Sequence, residues 1–216
     1  MHILLTDVIT CPRCGPRFGL ILLANEIVDR DVRSGWLGCA NCRERYPIED
    51  GVLDLRTERA LSPTPEPPLL PAQIGAADEE EAAFRLAALL GVAEGGGWLL
   101  LRGAGDALTA RLAALLPEVR IIVTDGGMAA DGAPSGVSRV HMGAGLPLRE
   151  HTLRGMALAG PMDAEAIARA RRVLLTGSRL VVLSAPPELA GELAAQGFSV
   201  LLDQEGVVVA SVGAHG

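Results

Sequence analysis

Lysine is missing from the chain, and all 19 basic residues are arginine. That absence excludes a Walker A phosphate loop, which needs its lysine on the phosphates, and any Schiff-base chemistry. Aromatic residues make up only 3% of the 216 residues, so there is little material for stacking an extruded nucleobase. No apolar run approaches the roughly 20 residues that span a bilayer, and no membrane association is expected. The opening residues MHILLTDVIT lack a basic n-region and a small-residue cleavage site, so no secretory leader is expected either. A cytoplasmic setting follows as the expectation, with thiols kept reduced and free to hold metal. Acids outnumber bases, for a net charge of −7, which argues against non-specific nucleic-acid binding by the whole chain.

Cysteine is scarce, and its placement is informative. The four cysteines form two Cys-x-x-Cys pairs, Cys11/Cys14 and Cys39/Cys42, separated by enough chain for a β-hairpin. The two-residue gap lets both sulfurs of a pair reach one ion. Four thiolates then close a tetrahedral Zn²⁺ shell with no position left for water, so the metal is read as structural. Two disulfides, or four unrelated core thiols, are the competing readings. Size supports the metal. A segment ending near residue 56 buries little apolar surface alone, and its core should nearly break even against chain ordering. A structural zinc contributes about 10–16 kcal/mol in comparable modules.

The stretch LLTDVITCPRCG followed by CANCRERYPIEDGVLDL resembles the zinc-ribbon proteins that act as activator subunits of RNA and translation-factor methyltransferases, and their small bacterial relatives. The resemblance covers residues 3–56. Its most specific part is Tyr46-Pro47-Ile48 with Asp50-Gly51-Val52. It implies a strand and turn closing onto the ribbon, and a role in protein–protein contact through the ribbon. A methyltransferase or a translation component is the kind of partner implied.

Beyond the ribbon (1–56), residues 57–77 are rich in proline, including Pro63, Pro65, Pro67, Pro68 and Pro71. Proline removes donors and favours an extended course, so this stretch reads as a linker. Residues 78–216 alternate helix and strand. A helix begins after Asp78, an N-cap followed by Glu79, Glu80 and Glu81, which suit the positive end of the helix dipole; glycines 95–97 are expected to end it. Strands are expected at Trp98–Leu101, Arg120–Thr124, Val137–Met142, Gly155–Ala159 and Arg179–Ser184. Helices are expected from Asp106 to Leu116, over Asp163–Leu174 and over Glu188–Gln196. The pair Phe198–Leu202 and Gly206–Val212 reads as a closing antiparallel hairpin. The expected class is α/β: a Rossmann-like, doubly wound, mostly parallel sheet with a terminal antiparallel hairpin, preceded by a small β-rich zinc ribbon.

Residues 78–212 resemble the class I S-adenosylmethionine-dependent methyltransferase fold. The matches are LLLRGAG after the first strand, an acid ending the second, RRVLLTGSRLVVLS, and the terminal hairpin. The resemblance implies S-adenosylmethionine as cofactor, held by Gly103, Ala104, Gly105, Asp125 and Gly126. Small residues let backbone approach a ligand closely, and Asp125 would hold the ribose hydroxyls. A plain turn-forming role for an Asp before Gly-Gly competes with this. Several positions depart from the pattern. Leu101 stands where an acid is usual, and Gly143-Ala144-Gly145 offers no acid for the adenine. Each lost hydrogen bond to a charged group is worth about 1.5–3 kcal/mol. Two such losses weaken binding by about two to four powers of ten. Leu158-Ala159-Gly160-Pro161 replaces the Asn/Asp-Pro-Pro-aromatic motif of base-modifying enzymes. A nicotinamide-dinucleotide fold is the rival, but Leu108 occupies the last position of its GxGxxG pattern, where a small residue is needed. His141 is either a general base or a hydrogen-bonded structural residue. No catalytic residue is assigned. The expected function is a zinc-ribbon scaffold or activator whose methyltransferase-like part has lost catalysis; the alternative is an active methyltransferase with its activator fused in cis.

Overall fold

The computed structural model describes residues 1–57, 71–125, 134–143 and 145–213. Pro63, Pro65, Pro67 and Pro68 of the expected linker, and Gly126 of the expected cofactor set, lie outside them.

The front segment opens with a 3-10 turn, Ile3–Asp7, and then strands β1 (Thr10–Cys11), β2 (Gly15–Gly19), β3 (Ile21–Val28), β4 (Asp31–Gly38), β5 (Arg45–Glu49) and β6 (Val52–Asp54). The expected hairpin is β3 against β4, antiparallel, with Leu22 opposite Leu37 and Leu23 opposite Trp36. Gly35 on β4 has φ +148, and a Cβ there would lie 2.5 Å from the Leu23 carbonyl oxygen. Only glycine lets β3 and β4 approach this closely.

The rear segment follows as α1 (Glu79–Leu90), β7 (Gly97–Arg102), α2 (Asp106–Leu115), β8 (Val119–Thr124), β9 (Val137–His141), β10 (Leu153–Ala159), α3 (Ala164–Val173), β11 (Leu174–Leu183), α4 (Leu189–Ala195), β12 (Phe198–Gln204) and β13 (Val207–Val212). Asp78 caps α1, its carboxylate accepting from the Glu81 N–H. The helix ends earlier than expected. Gly91 adopts the left-handed conformation, φ 67, and its N–H closes on Ala87 and Ala88 carbonyls. A left-handed glycine satisfies helix-end carbonyls and stops the helix before residues 95–97 are reached. At α2 the N-cap is Gly105, and Asp106 is the first helical residue.

Strands β9-β8-β7-β10-β11 run parallel, and β13 inserts antiparallel between β11 and β12. The strand order reverses between β7 and β10, the switch point at which open α/β sheets form their crevice. Alternate residues face opposite layers. Leu99, Leu101, Ile121 and Val123 belong to the layer shared with α1 and α2, while Leu100, Ile122, Val140 and Val182 belong to the opposite layer, which α3, α4 and the ribbon cover together.

The ribbon continues this sheet. β6 pairs parallel with β9, placing Leu53 opposite Val140 and Asp54 opposite His141, so eleven strands form one sheet. Three further hydrogen bonds fasten the join. The Thr10 N–H donates to the Pro147 carbonyl at 2.8 Å and Arg149 N–H to Val8 at 2.8 Å, and the His2 N–H donates to Ser138 Oγ at 3.0 Å. Leu5, Ile9, Tyr46, Ile48 and Leu53 of the ribbon share one apolar cluster with Leu100, Ile122 and Val140. Among the described residues no helix is long and apolar enough to cross a membrane.

Because that cluster spans both segments, they are expected to unfold together. Leu53→Ala, at a fully buried position, should cost about 2–5 kcal/mol in a single urea transition by circular dichroism. Two separate transitions in the parent chain would refute the shared core.

Candidate metal centre and the crevice beside it

The four cysteines converge. Their Sγ atoms all lie within 4.8 Å of one another, and all four are free thiols rather than disulfides. Cys11 and Cys42 sulfurs stand 3.7 Å apart, and Cys14 and Cys39 3.8 Å. A ZnS₄ tetrahedron with bonds of about 2.3 Å has edges of about 3.8 Å, so the cluster fits Zn²⁺. Surrounding donors are placed to support thiolate charge. The Cys14 N–H points at Cys11 Sγ at 3.4 Å, as the two-residue knuckle requires, and Asn41 Nδ2 donates to Cys14 Sγ at 3.2 Å. The Tyr46 hydroxyl lies 3.4 Å from Cys11 Sγ. Burial and the neighbouring Cys11 push the Tyr46 phenol well above its usual range, so it remains protonated and donates. Cys11 and Cys39 are buried while Cys14 and Cys42 are partly exposed. The inner sulfurs thus face the shared core and the outer ones the surface.

At the switch point the carboxyl ends of β7, β8, β9 and β10 enclose a cavity of about 40 Å³, bordered by Arg102, Thr124, Asp125, Met142, Met156 and Met162 among others. That volume has room for about three water molecules. Asp125 sits where the resemblance puts the ribose-binding acid, in the left-handed conformation with φ 55, which non-glycine residues adopt infrequently. Its carboxylate is engaged: Arg102 Nε donates to it at 3.0 Å, and the Asp125 side chain is only 10% exposed. Gly103, Ala104 and Gly105 form the expected tight turn. Gly103 has φ 76 and its N–H donates to the Thr124 carbonyl; Ala104 is fully buried. These three do not border the cavity. Arg139, buried on β9, donates to Asp106 at 2.7 Å and ties that strand to the start of α2.

The ribbon's last strand delivers charge to the mouth of this region. Arg56 grips Asp54 with two hydrogen bonds, 2.9 and 2.6 Å, and its stem runs past Gly143, 3.9 Å from where a Cβ would stand. Burial acts to raise the Asp54 carboxyl, but the hydrogen bonds from Arg56 outweigh it and hold the group below its usual range. His141, paired across from Asp54, is pushed below its ordinary value by burial and then by the Arg56 charge. Its Nδ1 is buried with no hydrogen-bond partner among the described residues, and so is Thr124 Oγ1. Arg102 stands next to Gly103 in the sequence and was legible as a neighbour of the turn. Arg56 had no such signal, because only the β6–β9 pairing brings it here.

Residues 2–51 match the family model described as Trm112p-like protein. The front segment is similar to that family over those residues and carries the four-cysteine cluster. No curated protein matches the chain. Among solved structures it is similar to precorrin-6y C5,15-methyltransferase from Geobacter metallireducens, at 15% identity over 61% of this chain and 87% of that one, with TM-score 0.49. It is also similar to the N-methyltransferase NodS from Bradyrhizobium japonicum, at 15% identity over 63% and 97%, with TM-score 0.47. The strand order and directions define the Rossmann-like class independently of these likenesses. The chain thus joins a segment similar to Trm112p-like protein to a Rossmann-like, mostly parallel sheet that closes with an antiparallel hairpin.

Elemental analysis of the purified chain is expected to find one zinc per molecule. Cys39→Ser should lose most of it and melt at a lower temperature; full zinc retention would remove Cys39 from the ligand set. His141 also sets a pH dependence. Its folded value lies below 6.5, the unfolded one, so below about pH 6.5 the unfolded chain takes up a proton that the folded chain refuses. Stability should therefore fall on acidification through that range, and His141→Gln should shrink the fall in urea titrations at pH 7 and 5.

Proposed function

We propose that the chain is a non-catalytic scaffold, a zinc ribbon docked permanently on a methyltransferase-like sheet and presenting its surfaces to a protein partner. The observation that carries this reading is the size of the crevice. The cavity at the switch point holds about 40 Å³, against the roughly 300–1,000 Å³ of ordinary ligand pockets, and the Gly103–Gly105 turn does not open onto it. The pairing of Asp125 with Arg102 supports it, since a carboxylate held by a guanidinium is not free for ribose hydroxyls. Leu101 in place of the usual acid points the same way. Zn²⁺ held by Cys11, Cys14, Cys39 and Cys42 acts structurally, its four thiolates leaving no position for substrate. The ribbon's resemblance to methyltransferase activators supplies the partner class. The β6 edge is already paired with β9 of the same chain, so an outside protein meets this ribbon elsewhere.

An active methyltransferase carrying its own activator is the second reading. It is favoured by the β6–β9 pairing and by Arg56 beside the crevice. Calorimetric titration of the full, zinc-loaded chain with S-adenosylmethionine separates the two. The scaffold reading expects no binding heat at millimolar ligand. Micromolar binding that weakens on Asp125→Ala would establish the second reading instead.

A further inference from the structure

The eleven-stranded sheet ends in β12 on one side and β3 on the other. Among the described residues β3 pairs with β4 alone, which leaves its outer row of backbone N–H and C=O groups without a strand partner there. Exposed edges of this length are normally blunted by lysine, proline or repeated charge. β3, ILLANEIV, carries only Glu26. Its large apolar side chains face water: Ile21 is 58% exposed, Leu23 48%, Ile27 49% and Val28 44%. Leu23 lies opposite Trp36 on the outer face, and Trp36 opposite Pro47, with Arg45 stacked over the indole at 5.4 Å. Tryptophan and arginine beside aliphatic residues are the composition of interface centres.

Charge is distributed lengthwise along this edge. Exposed Arg17, in β2 just ahead of β3, stands at one end of this edge, while exposed Glu26 and Asp29 stand at the other, Arg30 in the turn offsetting one of them. An edge basic at one end and acidic at the other is complementary to itself when two copies run antiparallel. We propose that β3 pairs with β3 of a second copy of this chain about a two-fold axis, joining two sheets into one. The register irregularities fall on either side of Glu26, so the regular ladder is Ile21–Ala24 and the axis passes near Leu22 and Leu23. That placement brings Arg17 of each copy toward Glu26 of the other. Phe18, 39% exposed, meets the Ile27–Val28 end, an aromatic against β-branched residues as cross-strand pairs favour. The interface is isologous and closes on itself. It does not depend on whether the crevice accepts a cofactor.

Light scattering and sedimentation equilibrium on the full, zinc-loaded chain test this. A dimer is expected, weakening as salt is raised. Leu23→Lys, an exposed position, should give a folded monomer by circular dichroism, whereas Leu201→Lys on the opposite edge should leave the dimer intact. Arg17→Glu or Glu26→Arg alone should each weaken association about fivefold to tenfold, and the two together should restore it. A monomer at the highest soluble concentration would overturn the proposal, as would a dimer that survives Leu23→Lys or a double reversal that fails to rescue. Open-ended polymers dissolved by Leu201→Lys would point to β3–β12 stacking and overturn it equally.

Discussion

The parallel pairing of β6 with β9 is the contact through which the front and rear of this molecule become one object. A zinc ribbon has two sheet edges and too little apolar surface to hold itself together. Here one edge is satisfied by a strand from the same chain, and Leu53, carried on that edge, enters the apolar layer that also holds Leu100, Ile122 and Val140. The sulfur cage orders the knuckles, and the rear sheet supplies the core that the knuckles lack. Removing either support leaves the other with exposed backbone or exposed apolar surface.

The same pairing explains the polar character of the crevice mouth. Extending the sheet past β9 places the end of β6 beside the carboxyl ends of β8 and β9. Asp54 and Arg56 therefore arrive next to His141 and near Asp125. Within the crevice, Arg102 holds Asp125 and methionines from β10 and the adjoining loops fill the space. Methionine adapts to irregular gaps, which suits a narrow crevice bordered by several elements. An intact cysteine cage beside a filled crevice is the pattern of a chain that retains its shape and its surfaces.

Much of the architecture was legible in the residues because it is local. Short apolar runs set between turns and helices gave the strands, Asp78 and Asp163 gave helix starts through their side-chain caps, and the fixed Cys-x-x-Cys spacing gave the four-sulfur set. Where local reading slipped, a local competitor was responsible. Gly91 stopped α1 before the glycine run downstream could.

The amino-acid sequence by itself determined the four-sulfur set, the α/β alternation and the apolar or small residues at Leu101 and after β9, since each depends on residue type and short spacing. Tertiary structure alone decided that β6 pairs within the chain, that Arg102 turns to Asp125, that Arg56 joins the crevice and that β3 is left as an open edge. Those four facts concern which distant groups become neighbours. Strand pairing across some eighty residues is set by the summed burial of two apolar layers, and no single residue announces it.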